Sequence, residues 1–189
     1  MLTPLDDIIT PRLMLRLMSS DVIIACLAGE LAKAEDQLCA TIPNELLNSP
    51  SGLIYTQKQL KADAAYLPWS ARAIILEETQ QMIGLIRFHS CPNPVDLNSY
   101  TSGAAELGYR IFTAYRQQKY ATEAVDAIMD WAYVQFGVNR FIASVSPENK
   151  PSFRLISSFG FVKVDEVMDD LDGIEHVFLR VSTKTPEEF

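Results

Sequence analysis

Apolar and polar positions recur along this chain with two periods. From Ala104 to Phe112, Glu106, Gly108 and Arg110 alternate with Leu107, Tyr109 and Ile111, the pattern of a strand with one chemical face. From about Ala121, the residues Ala121, Val125, Ile128, Met129, Ala132 and Phe136 fall at helical spacing, which predicts an amphipathic helix directly after that strand. Thr113 to Tyr120 form the short loop between them, and it carries Arg116 and Lys119. A strand that passes through a short loop into a helix aims unpaired N–H groups and the positive end of the helix dipole at one point. Such a point favours an anion, and the two cationic side chains suit a phosphate.

The same periods divide the rest of the chain. Arg12 to Met18 alternates as a first strand, and Ser19, Ser20 and Asp21 offer N-caps to the Ala- and Leu-rich stretch Val22 to Leu38, which Gly29 would divide into two helices. Thr41 to Gly52 reads as a loop with a helical turn at Glu45 to Leu47, and Tyr55 to Tyr66 reads as a helix stopped by Pro68. Ala71 to Glu77 and Gln81 to His89 form a hairpin by pattern, and with Ala104 to Phe112 they give three consecutive antiparallel strands. The connector Ser90 to Gly103 is long and rich in turn formers, either a cover for an active-site mouth or a solvated excursion. Gly137 and Asn139 end the central helix, and Arg140 to Ser146 forms the next strand. A helix then runs from about Lys150 to Phe159 with Phe153, Ile156 and Phe159 on one face, closed by Gly160. Phe161 to Val167 and Ile174 to Val181 are the last strands, joined by the acidic turn DDLDG, and the closing PEEF reads as a frayed tail.

Composition narrows the chemistry. At 189 residues with 48% hydrophobic content, the chain is expected to form one domain, 1–189. A net charge of −8 and a pI of about 4.7 argue against nucleic-acid and anionic-membrane partners; they suit a cationic substrate, but solubility alone also explains them. Cys26, Cys39 and Cys91 are widely spaced without a CxxC, as free thiols in a reducing compartment would be. No apolar run reaches the roughly 18 residues of a membrane span, and the N-terminus lacks a basic segment before an apolar one, so a cytoplasmic location is expected. His89 and His176 are the two histidines and neither sits in a motif, which excludes a histidine-rich metal site. Neither GxxxxGK[ST] nor GxGxxG occurs.

The run RQQKYATEA, with Glu106 on the preceding strand and PENKPS further on, resembles the acetyl-CoA loop of the GNAT superfamily of N-acetyltransferases. More narrowly it is similar to the branch that includes ribosomal-protein N-terminal acetyltransferases, whose loop usually reads R/Q-x-x-G-x-G/A followed by T/S-E-A. Arg116, Ala121, Thr122, Glu123 and Ala124 fit that pattern, the opening RLMLR resembles the branch's RLxLR, and Lys119 stands where the family has glycine.

The resemblance implies an α/β (α+β) fold with a central mixed, mostly antiparallel sheet of about seven strands flanked by helices. It also implies transfer of an acetyl group from acetyl-CoA, with no metal, to a primary amine: a protein N-terminus, a small amine or an antibiotic. By the same resemblance Glu106 is the general base, a backbone N–H in Tyr109, Arg110, Ile111 or Phe112 receives the oxyanion, and Arg116, Gln117, Gln118, Lys119, Tyr120, Ala121 and Thr122 hold the cosubstrate. Many relatives place a leaving-group tyrosine where this chain has Ile156, so Ser152 takes that role, and Asn149 either meets the pantetheine arm or caps its helix. Family members shape the acceptor pocket between the first and second strands, where Tyr55, Tyr66 and Trp69 either line it or pack. A non-catalytic acyl-CoA-binding or interaction module of the same fold is the alternative, and monomer and homodimer both fit.

Overall fold

The computed structural model describes residues 3–169 and 173–182; the middle of the acidic turn and the PEEF tail lie outside them. Eight strands make a mixed sheet: β1 (Ile8–Ile9), β2 (Leu13–Leu17), β3 (Arg72–Leu76), β4 (Gln81–Phe88), β5 (Ala104–Ile111), β6 (Arg140–Val145), β7 (Val162–Asp169) and β8 (Gly173–Val181). Five α-helices accompany them: α1 (Ser20–Leu27), α2 (Leu31–Leu38), α3 (Ser51–Ala62), α4 (Tyr120–Phe136) and α5 (Lys150–Ser158). The strand beyond the seven expected is β1, whose two residues are too few to show a period. The chain divides into two compact units, Met1–Ser90 with Tyr109–Ile128, and Cys91–Gly108 with Met129–Phe189, so that β5 and α4 each contribute to both.

In the first unit β1, β2, β3 and β4 pair antiparallel in that order. Strand β2 alternates, with Leu13 and Leu15 fully buried, whereas Arg72 to Ile75 of β3 are buried without alternation, as a strand covered on both faces requires. The Arg72 guanidinium has no exposed surface; it donates to the carbonyls of Pro4 (2.7 Å), Asp6 (2.9 Å) and Leu15 (3.2 Å), and its burial lowers the pKa to about 10. Gly29, at φ +77°, separates α1 from α2, and Ser19 caps α1 by accepting from the Val22 N–H.

Helix α3 departs from expectation at both ends. It begins at Ser51, directly after Pro50, and Asp63 rather than Pro68 ends it: the extended Asp63 accepts from the Ala65 N–H with its own side chain, drawing the backbone out of the helix. Pro68 sits inside the 3-10 turn that follows, Ala64–Trp69. Met18, Ile23, Leu38, Leu53, Ile75, Met82 and Phe112 belong to this unit's buried core.

In the second unit β5 and β6 are parallel, connected through α4, and β6 pairs antiparallel with β8, which pairs antiparallel with β7. The connector before β5 is tied down. It contains a 3-10 turn, Val95–Ser99, whose Leu97 is buried with Ala104, Ile142 and Val177, and the Asn93 N–H donates to the Ala104 carbonyl. On α5, Ile156 is buried as expected, while Phe153 is 45% exposed with its ring edge-on to Phe178.

Candidate functional site

The first half of the candidate machinery lies where β5 gives way to α4. Strand β4 carries a bulge: Ile74 pairs with Gly84 and Ile75 with Met82, leaving Ile83 as the extra residue. The Ile83 carbonyl accepts from the Phe112 N–H at 2.8 Å. Gly84 permits the close approach behind this bond, since a Cβ there would overlap the Arg110 carbonyl oxygen and stand 3.2 Å from Arg110 C and Ile111 Cα.

Beyond Phe112 a 3-10 turn, Thr113–Tyr115, leads to the exposed residues Arg116, Gln117, Gln118 and Lys119. Gln117 (φ +61°) and Lys119 (φ +63°) both take the left-handed conformation. Lys119 therefore occupies a backbone position that glycine would fill without strain. The Arg116 Nε donates back to the Ile111 carbonyl at 3.1 Å. Tyr120, Ala121 and Thr122 form the half-buried first turn of α4, and the Lys119 carbonyl accepts from the Glu123 N–H.

Two carboxylates brace this loop. Glu45 accepts from the Thr113 N–H (2.9 Å) and hydroxyl (2.9 Å) and from Arg110 (3.4 Å). Partial burial alone would raise the Glu45 pKa, but the bonds from Thr113 and Arg110 outweigh it and hold it below its ordinary value. The Arg110 side chain, which also donates to the Ser49 carbonyl at 3.2 Å, is thus turned toward Glu45. Glu123 accepts from the Thr10 hydroxyl (2.6 Å), the Arg12 N–H (2.9 Å) and the Arg12 Nε (2.7 Å), and its pKa is lowered because these bonds outweigh its burial.

In the second unit Glu106 is half-buried on β5, and its Oε1 accepts from the Ser144 hydroxyl of β6 at 2.6 Å. The parallel ladder between these strands comprises Ala104 with Arg140, Ala105 with Phe141 and Glu106 with Ile142, so it stops at the glutamate. Asn149 caps α5, its Oδ1 accepting from the Ser152 N–H at 3.2 Å, which sets the half-buried Ser152 in the first turn. Tyr66 and Trp69 pack: the Tyr66 hydroxyl donates to the Phe88 carbonyl at 2.6 Å, and Trp69 meets the Phe88 ring edge-on. Tyr55 is half-buried and donates to the His89 carbonyl at 2.8 Å. Among the described residues no group of three or more His, Cys, Asp or Glu could hold a metal ion, and no helix is long and apolar enough to cross a membrane.

Sequence reasoning missed Glu45, Ser144 and the work of Glu123. Ser144 carried a faint signal, a hydroxyl inside the otherwise apolar RFIASV; Glu45 carried none.

Residues 12–162 match the acetyltransferase (GNAT) domain family. An uncharacterized N-acetyltransferase of Bacillus licheniformis, p20, is 35% identical over 91 residues, covering 48% of this chain and 47% of that protein. A second, YnaD of Bacillus subtilis, is 25% identical over 119 residues, covering 63% of this chain and 62% of its own length. The chain thus spans about half to three-fifths of the length of these relatives. Among solved structures, the ribosomal-protein-S5-alanine acetyltransferase of Vibrio fischeri shares the fold at a TM-score of 0.64 and 17% identity, over 94% of this chain and 97% of that one. RimL, a ribosomal L7/L12 α-N-protein acetyltransferase in complex with coenzyme A, does so at 0.63 and 14%, over 93% and 98%. The family match runs from the start of β2 to the start of β7 and takes in β5, the loop before α4, β6 and α5, and the chain belongs to the GNAT acetyltransferase family.

Proposed function

We propose that this chain is a single-domain cytoplasmic enzyme that moves an acetyl group from acetyl-CoA to a primary amine, with a protein N-terminus as the acceptor. The observation that carries the reading is the exposed loop Arg116 to Lys119, in which two non-glycine residues keep the left-handed backbone directly before the N-terminus of α4, where helix N–H groups and the helix dipole favour a phosphate. Arg116 and Lys119 add positive charge, and Gln117, Gln118, Tyr120, Ala121 and Thr122 complete the cosubstrate site. The fold likeness to ribosomal-protein acetyltransferases supports the choice of a protein acceptor over a small amine.

Acyl transfer to an amine requires a neutral nucleophile, a donor for the oxyanion and a proton for the leaving thiolate. Glu106 takes a proton from the acceptor ammonium, directly or through a water, and the Ser144 hydrogen bond orients its carboxylate. The amine nitrogen attacks the thioester carbonyl; as the C–N bond forms, the oxyanion accepts from an N–H of Tyr109, Arg110 or Ile111. Phe112 is not the donor, because its N–H is bonded to Ile83. The C–S bond then breaks, and the second proton of the attacking nitrogen passes through the Ser152 hydroxyl to the departing thiolate, so that the hydroxyl is restored. Asn149 holds the turn that presents Ser152.

The test is calorimetric titration with acetyl-CoA together with a thiol-release assay over peptides and small amines. Glu106→Gln should cut acetyl transfer by about 100-fold or more while leaving acetyl-CoA affinity unchanged. Binding with no release for any acceptor would favour the non-catalytic acyl-CoA-binding module, and absence of binding would refute the enzyme and leave the fold serving as an interaction module.

A further inference from the structure

Arg12 stands one residue before β2 and is anchored there, its carbonyl accepting from the Glu77 N–H at 3.1 Å. Its side chain reaches the loop that precedes α4. Nε donates to Glu123 Oε2 at 2.7 Å, Nη2 lies 2.7 Å from the same oxygen, and Nη1 donates to the Gln118 carbonyl at 3.1 Å. The guanidinium carbon sits 4.5 Å from the centre of the Tyr120 ring. Thr10 completes the clasp from the same segment, donating its hydroxyl to Glu123 Oε1. Gln118, whose carbonyl Arg12 holds, lies between the two left-handed residues Gln117 and Lys119.

Each nitrogen of the Arg12 guanidinium therefore has a partner within the protein, Glu123 or the Gln118 carbonyl. Arg12 ties a strained, exposed turn to the edge of a paired strand. The Arg12 side chain is 45% exposed, so little packing depends on it. We propose that Arg12 is a positioning residue for the cosubstrate: fixed by Glu123, it holds Gln117 to Lys119 in the shape that receives the phosphates of acetyl-CoA. The inference rests on the acetyltransferase reading above. Lysine cannot replace the arginine fully, since a point charge cannot bind Glu123 with two nitrogens and the Gln118 carbonyl with a third.

Two acetyl donors separate this role from a structural one: acetyl-CoA, and S-acetylpantetheine, which has the same thioester and arm but no phosphate. Arg12→Gln should raise KM for acetyl-CoA about tenfold, with kcat within about twofold of wild type, because the loss falls on donor binding. With S-acetylpantetheine, kcat/KM should not change. Glu123→Gln, which opens the same clasp from its other side, should give the same donor-selective loss, and Arg12→Lys an intermediate one. Equal losses on both donors would overturn the proposal in favour of a general structural role, and unchanged kinetics on both would overturn it outright. A wild-type protein that uses neither donor would instead refute the acetyltransferase reading.

Discussion

Replacing Gly84 with alanine tests the geometry on which the candidate site depends. The new Cβ would overlap the Arg110 carbonyl oxygen and stand 3.2 Å from two further backbone atoms of β5, none of which can rotate away. The end of β5 must therefore shift. Overpacking of this kind costs about 1–3 kcal/mol, and an obstacle made of backbone puts Gly84→Ala near the top of that range. Weakening the bond from the Phe112 N–H to the Ile83 carbonyl adds about 1 kcal/mol. Against this, alanine restricts the unfolded chain and returns about 0.5–1 kcal/mol, because Gly84 is not among the positive-φ glycines. The net loss is about 2–3 kcal/mol, which for a chain of this size lowers Tm by roughly 4–12 °C. Gly103→Ala is the control: it has open space but φ +72°, so it meets only the left-handed penalty of about 1–2 kcal/mol, less the same unfolded-state gain. Thermal melts followed by far-UV circular dichroism measure both. A Gly84→Ala protein melting within about 2 °C of wild type, or a Gly103→Ala protein falling as far, would refute the argument that close backbone approach fixes this glycine.

Lys119→Gly should relieve left-handed strain of about 1–2 kcal/mol, less about 0.5–1 kcal/mol for the freer unfolded chain, so Tm should not fall and should rise by up to roughly 6 °C. The same variant should bind acetyl-CoA more weakly and with less salt dependence; tighter binding in calorimetry would show that the lysine merely occupies a glycine position. Glu123 has a folded pKa below its ordinary 4.5, so its stabilising effect is fully present above that value and is lost as pH falls through the depressed one. The Tm gap between wild type and Glu123→Gln should accordingly be constant near neutrality and close in acid, and a gap that widens on acidification would reverse the assigned sign.

What could be read from the sequence follows the range of the interactions involved. Alternation exposed β2 and β5, and helical spacing exposed α4, because burial on one face repeats within a few residues. Gly29 marked the break between two helices for the same local reason. The end of α3 was misjudged because a proline is conspicuous in sequence, whereas an aspartate that takes a backbone N–H two residues on looks like any other polar residue. The loop was singled out by its resemblance to a family motif, and Lys119, which stands where that pattern has glycine, has φ +63°.

The partners of the loop and of Glu106 escaped because they lie far away in the chain. Glu45 meets Thr113 across 68 residues, Ser144 meets Glu106 across 38, and Arg12 meets Glu123 across 111. No periodicity links such pairs. The glutamate of the ATEA run shows the consequence most clearly, since the motif marks its place without revealing its work. Beside the proposed cosubstrate loop it would pass for a ligand or a surface charge, yet its carboxylate is turned to Thr10 and Arg12. The opening RLMLR and the loop RQQKYATEA then become two ends of one clasp, and on the proposed reading a change at either end should be felt first in acetyl-CoA binding.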